Sequence, residues 1–206
     1  MKKGFSLIEM LVVIAIIATL IAASVGVYSS VTARAQNARC LELVSNVATA
    51  LNALYQRENR WPPALVKASN DGRGGQLTKE GAACLAVHNL LSLSYTTREQ
   101  DGETIYELSG LDRCGIVTPW ATETLKRLPP GKSGLDARVK IGGKDVGKVS
   151  DHVLHFSIDI DGDGIVEIEQ ASGSTLKIRG TAAVWYKGPK GNKDDIISWT
   201  AAQEVK

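Results

Sequence analysis

The sequence is poor in the groups from which active sites are usually assembled. It holds three histidines and three cysteines in 206 residues. His88, His152 and His155 lack any metal-ligand spacing such as two histidines four apart beside a glutamate. No serine sits in a nucleophile elbow, and no glycine-rich phosphate loop follows an expected strand. These absences argue against an enzyme. Charge of one sign is lacking as well: 24 Lys and Arg face 22 Asp and Glu. A balanced chain has no whole-molecule attraction for nucleic acid or for an acidic partner. The stretch from Lys126 to Lys148 carries seven basic residues against Asp136 and Asp145, but no aromatic interleaves with them. A solvated loop is the plainer reading of that stretch, with a DNA-backbone contact as the alternative.

What the chain does have stands at its start. Met1-Lys2-Lys3-Gly4 leads into an apolar run from Phe5 to Tyr28, 24 residues in which Glu9 is the only charge. As a helix at about 1.5 Å per residue, such a run is long enough to cross a hydrocarbon layer of roughly 30 Å. A secretory signal would have a shorter apolar core with its small residue after it, whereas here Gly4 lies before it. Two lysines ahead of the run place the N-terminus in the cytoplasm and the remainder outside. A carboxylate inside lipid costs several kcal/mol on most estimates, about 3 or more, so Glu9 needs a partner or an interfacial position.

Lys2-Lys3-Gly4 followed by Phe5-Ser6-Leu7-Ile8-Glu9 and an unbroken apolar helix resembles the signal of type IV pilins and type II secretion pseudopilins. The resemblance implies that a prepilin peptidase cuts between Gly4 and Phe5 and that the new amine of Phe5 is methylated. It also implies that Glu9 neutralises the Phe5 amine of a neighbouring copy as helices bundle, a pair costly to break in low dielectric. The implied partners are further copies and related pilins in a helical filament, an inner-membrane assembly platform, and the membrane itself. No nucleic acid is expected. The implied location is the bacterial inner membrane as a single-pass protein, its C-terminal domain in the periplasm or in an extracellular filament.

Beyond Ala33, the apolar residues Leu41, Val44, Val47, Ala48, Leu51, Leu54 and Tyr55 recur at three- and four-residue spacing among polar positions. That is the pattern of a helix with one apolar face. One helix is therefore expected from Phe5 to about Glu58, roughly 80 Å long at 1.5 Å per residue. Arg60-Trp61-Pro62-Pro63 should end it. Gly26 stands where many pilins carry a proline and marks an expected soft point between Ser24 and Ser29. The apolar stripe requires a cover, and strands are expected at Thr104–Leu108, Val139–Ile141, His152–Ile158, Ile165–Glu169, Leu176–Ile178 and Ala182–Tyr186. A second helix is expected over Lys79–Ser92. The expected fold class is α+β, a long N-terminal helical spine with a transmembrane half and an amphipathic half, packed on a C-terminal antiparallel sheet. The corresponding domains are a leader (1–4), an assembly helix (5–28), its amphipathic continuation (29–60) and a globular domain (61–206).

Carboxylates converge at one place. Asp159-Ile160-Asp161-Gly162-Asp163-Gly164 opens like a calcium loop, with alternating acids and a glycine that permits the sharp turn. It is not a full EF-hand, because the twelfth position is Gln170. The expected ligands are Asp159, Asp161, Asp163, the carbonyl of Ile165, and Glu167. A bare hairpin turn between His152 and Ile168 is the competing reading. The segment Gly188–Trp199 resembles the calcium-binding C-terminal loop of major type II pseudopilins, which makes Asp194 and Asp195 a second metal candidate. Lys190 and Lys193 depart from that acidic pattern. On this loop a type II secretion pseudopilin is preferred to a true pilus subunit, the alternatives being a minor or adhesive type IV pilin or a DNA-binding competence pseudopilin. Three cysteines facing an oxidising compartment leave one unpaired. Cys84 with Cys114 is the expected disulfide, and a bond from Cys40 to either is the alternative.

Overall fold

The computed structural model describes residues 7–100, 102–129, 134–141, 143–170, 172–188 and 195–205. A 52-residue helix, α1 (Leu7–Glu58), opens the chain and runs through Gly26 without interruption. Nothing in it is a proline, and its stop is local: Asn59 takes a left-handed φ of 51° while its N–H bonds to the carbonyl of Tyr55 at 2.7 Å. Asparagine tolerates that conformation better than most residues, and it ends a helix cleanly. The tandem proline then does more than terminate. Pro63 occupies the first turn of a short helix, α2 (Pro63–Ala68), where its missing N–H is not needed.

Two compact units divide the chain, Met1–Ala38 and Arg39–Lys206. In the first, the large apolar side chains from Leu7 to Ile21 are exposed. Among the described residues no helix is long and apolar enough to cross a membrane. The span expected over Phe5–Tyr28 falls partly outside them, since Phe5 and Ser6 and the side chains at 23–27 are not described.

The second unit begins within α1, and there the helix buries one stripe. Cys40, Val44, Val47, Leu51 and Leu54 are wholly buried, alternating four and three residues apart. Leu41, assigned to this face from sequence, lies beside it and is 52 % exposed. Packed with the stripe are Leu65 of α2, Leu85 of α3 (Lys79–Val87), and Leu77, Leu154, Phe156 and Val184. Each such burial contributes about 1.5–3 kcal/mol. The helix α3 stops at Val87 rather than at Ser92 because Asn89 turns left-handed, with φ 54°.

The strands form several antiparallel sheets rather than one. A four-stranded sheet has the order β1 (Gly75–Gln76), β6 (His155–Ile158), β9 (Ala182–Tyr186), β10 (Ile196–Ile197). A three-stranded sheet has the order β11 (Glu204–Val205), β8 (Thr175–Arg179), β7 (Ile165–Glu169). Two hairpins stand apart, β2 (Tyr95–Gln100) with β3 (Glu103–Leu108), and β4 (Arg138–Ile141) with β5 (Lys144–Lys148). A further helix, α4 (Pro119–Lys126), buries Trp120, Ala121 and Leu125. A smaller core of Val166, Ile168, Ile178, Ala183 and Trp199 lies among β7, β8 and β9.

Three expectations are corrected here. The segment from His152 to Ile168 is not a hairpin: β6 pairs with β1 and β9, β7 pairs with β8, and the acidic loop links two sheets. His152 is not in a strand but ends a 3-10 turn, where it is buried. The expected Cys84–Cys114 disulfide is not present in the structure, and neither is a bond from Cys40 to either. Cys40 and Cys114 are instead small apolar members of the core, and Cys84 packs against it.

Candidate functional site

The acidic loop begins where β6 leaves the core. Asp159 is 2 % exposed, and its backbone N–H bonds to the carbonyl of Thr181 at 2.9 Å. Its side chain folds back over the following turn, one carboxylate oxygen accepting the N–H of Gly162 at 2.8 Å and the other that of Gly164 at 2.9 Å. Both glycines take φ of 78°, which a side chain would oppose. Asp163 accepts the N–H of Ile165 at 2.7 Å. The result gathers one oxygen from each of Asp159, Asp161 and Asp163 within 4.8 Å of one another, Asp161 and Asp163 being exposed.

Burial pushes the Asp159 carboxyl above its ordinary value; the N–H groups of Gly164 and Gly162 oppose this, while contact with Asp161 and the charge of Asp163 add to it. Such a group is a poor anion by itself and a better one beside a cation. The donor set is all oxygen, which suits a hard divalent ion, calcium above all. A buried Asp159 with two exposed acids also leaves one side open to approach. Glu167 is not part of this group: it pairs with Lys177 at 2.7 Å on the exposed face of β7. Ile165, the other expected ligand, contributes its N–H to Asp163 at 2.7 Å.

The loop is held from a distance by residues that sequence reasoning passed over. Trp61 donates its indole N–H to the carbonyl of Asp159, and its ring stacks on Tyr55 at 4.9 Å between centroids. Thr181, one residue before β9, donates to the side-chain carbonyl of Asn52 in α1. Only the position of Trp61 beside the helix stop hinted at such a role.

The second metal candidate is split. Asp195 accepts the N–H of Gly188 at 2.8 Å and so closes the loop on itself, whereas Asp194 lies outside the described residues. Gly4 and Phe5 also lie outside them. Glu9 is in the first turns of α1 and is exposed. The histidines do not converge. Tyr186 and Thr118 approach His152 Nδ1 at 2.8 and 3.4 Å, while His155 stacks on Trp185 and His88 lies by Glu58.

Residues 1–25 match the family model described as the prokaryotic N-terminal methylation motif. Over 62 residues the chain is 37 % identical to the type IV major pilin protein PilE1 of Neisseria gonorrhoeae, covering 30 % of this chain and 38 % of that one. The N-terminal part of the chain is similar to type IV pilins. The chain is also 36 % identical over 78 residues to a fimbrial protein of Neisseria meningitidis serogroup A, covering 36 % of this chain and 46 % of that one. The chain thus spans less than half the length of these curated relatives. No solved structure matches it. Its long N-terminal helix followed by antiparallel sheets is the expected pilin-like α+β arrangement.

Proposed function

We propose that this chain is the structural subunit of a type IV pilus-like filament, matured by a cut between Gly4 and Phe5 and by methylation of the new Phe5 amine. One conjunction carries the reading: a methylation motif over residues 1–25 leads into a helix whose large apolar side chains from Leu7 to Ile21 are exposed. Such a surface demands lipid or other helices around it. Before assembly it would sit in the inner membrane with the compact unit on the periplasmic side. In the filament it would pack on the same helix of other copies, with Glu9 meeting the Phe5 amine of a neighbour. A prepilin peptidase and an assembly platform are the partners this route requires.

The names of the matched relatives, a major pilin and a fimbrial protein, favour a pilus over a type II secretion pseudopilus. The loop that suggested a pseudopilin has its centre, 189–194, outside the described residues. N-terminal sequencing and intact mass of the chain purified from the cell envelope test the reading. Methylated Phe5 as first residue supports it; a chain that still starts at Met1 overturns it.

A second reading concerns the Asp159 loop. The gathering of a buried carboxylate with two exposed ones favours a calcium ion that ties the two sheets together, a structural role rather than a catalytic one. A melting temperature that rises with added calcium supports it, and one indifferent to millimolar calcium overturns it.

A further inference from the structure

We propose that the hairpin β2–β3 of one copy docks, through its acidic tip, against the basic tip of the hairpin β4–β5 of a second copy. This rests on the filament reading above, and it adds a contact between globular units to the one made by the N-terminal helices.

The first hairpin is unusually bare. Every residue of β2 is exposed, and in β3 only Ile105 and Leu108 are covered to any degree. A two-stranded ribbon is marginal in water unless something holds it. Here only the base is held. Leu108 is buried, Ser109 N–H bonds to the Ser94 carbonyl at 2.7 Å, and Ser94 N–H bonds to the Asp112 carboxylate at 2.6 Å.

Its charges are one-sided. Arg98 pairs with Glu107 at 3.3 Å, which leaves Glu99 and Glu103 without an ion-pair partner among the described residues. The register sets both at the turn end, with Glu99 opposite Thr104 and Gln100 opposite Glu103. The second hairpin is its electrostatic counterpart. Arg138 pairs with Asp145 at 3.6 Å and Lys148 with Asp136 at 2.8 Å, which leaves Lys140 and Lys144. Both are exposed and both flank the turn, since Ile141 lies opposite Lys144. Among the described residues no ion pair joins the two hairpins within one copy. Two acids at one tip and two lysines at the other therefore find their complement on another copy. Charged strands also discourage edge-to-edge backbone pairing, so the contact is made by side chains. Used once per pair of copies, an acidic patch meeting a different, basic patch is heterologous, and such contacts build rings where the rotation closes and open helical arrays where it does not.

The test uses the full chain in detergent micelles, with self-association measured by sedimentation at about 50 mM and about 0.5 M NaCl, where screening lengths differ several-fold. Wild type should lose about tenfold in association at high salt. The double variant Glu99→Lys, Glu103→Lys should lose as much at low salt, and so should Lys140→Glu, Lys144→Glu. Mixing the two doubles, or combining all four changes, should restore association. Unchanged association in both doubles, or failure of the combined reversal to rescue, overturns the proposal. So does loss of retention on duplex DNA in the lysine double with self-association intact, which would make the basic tip a nucleic-acid contact. Filament formation in cells is scored separately: salt-dependent pairing without filaments would refute the filament reading and leave the hairpin contact standing.

Discussion

Trp61 and Asp159 are 98 residues apart in the chain, yet the indole N–H of the first is hydrogen-bonded to the backbone carbonyl of the second. That bond anchors the start of the acidic loop to the segment just past α1, where Trp61 also stacks on Tyr55. Replacing Trp61 with Phe keeps an aromatic ring and removes the donor, leaving a buried carbonyl short of a partner. The expected loss is about 1–2 kcal/mol of unfolding free energy, read from urea denaturation of the full chain in detergent. Wild-type stability in Trp61→Phe would show that the bond carries no weight.

Calcium should raise the melting temperature of the compact unit. At about 100 times the dissociation constant, one ion adds about 2.7 kcal/mol. Asp161→Asn with Asp163→Asn should abolish the increment while changing the metal-free protein little, because both side chains are exposed. A melting temperature indifferent to millimolar calcium would return the loop to a plain turn. Magnesium should act weakly, since it gives up its waters reluctantly.

Acid should destabilise the fold below neutrality. Burial lowers both His152 and His155 from the ordinary 6.5, with the charge of Lys187 adding to the effect at His155. The unfolded chain therefore takes up protons first as pH falls. The stability these two contribute is complete above about 6.5 and is lost as pH drops through their folded values. Asp159 acts in the opposite sense: its raised value means that stability falls as pH rises past the carboxylate range, unless a cation is bound. A melting temperature flat from about pH 7.5 to 5.5 would contradict the histidine argument. His155→Gln should flatten part of the slope.

Glu9→Ala should leave the chain in the membrane fraction and remove it from filaments. The substitution makes the helix more apolar, so insertion is not harmed, but the incoming subunit no longer neutralises the terminal amine of its neighbour. Electron microscopy of sheared surface fractions gives the readout. Filaments of normal yield from the variant would refute the proposed pairing of Glu9 with the Phe5 amine of a neighbour.

The three thiols should resist alkylation in the folded protein. Burial pushes Cys40 up to about 12 and raises Cys84 and Cys114 as well, although the charge of Arg113 works against this at Cys114. Thiolates are therefore scarce near neutral pH. Mass spectrometry after iodoacetamide should find Cys40 modified only in denaturant, and a reducing agent should not shift the melting temperature. A non-reduced chain lighter by two hydrogens would restore the disulfide.

Local signals in the sequence were strong at both ends of α1. The apolar run, the polar and apolar alternation past Ala33 and the prolines at 62 and 63 each act within a few residues, and the helix ends at Glu58 as they require. The strands Ile165–Glu169 and Ala182–Tyr186 were legible for the same reason, as short β-branched or aromatic runs between glycines and aspartates. Less legible were β2, rich in Thr and charge with no buried residue, and β10 and β11, two residues each. Helix α4 escaped because Pro119 reads as a breaker when it is in fact a first-turn residue. In the acidic loop the alternation of acids brings three aspartates together, whereas alternation along β7 turns Glu167 to the outer face, within reach of Lys177.

By itself the sequence determined the long helix, the single acid near its start, the methylation motif and the turn chemistry of Asp159–Gly164, because each depends on neighbours within a turn or two. Tertiary structure alone decided which strands pair, that β6 and β7 belong to different sheets, that no disulfide joins the cysteines, and that Trp61 reaches Asp159. Those outcomes come from packing the stripe Cys40–Leu54 against distant side chains, and burial of that kind is non-directional: it rewards any close-fitting partner, so only the whole fold selects one.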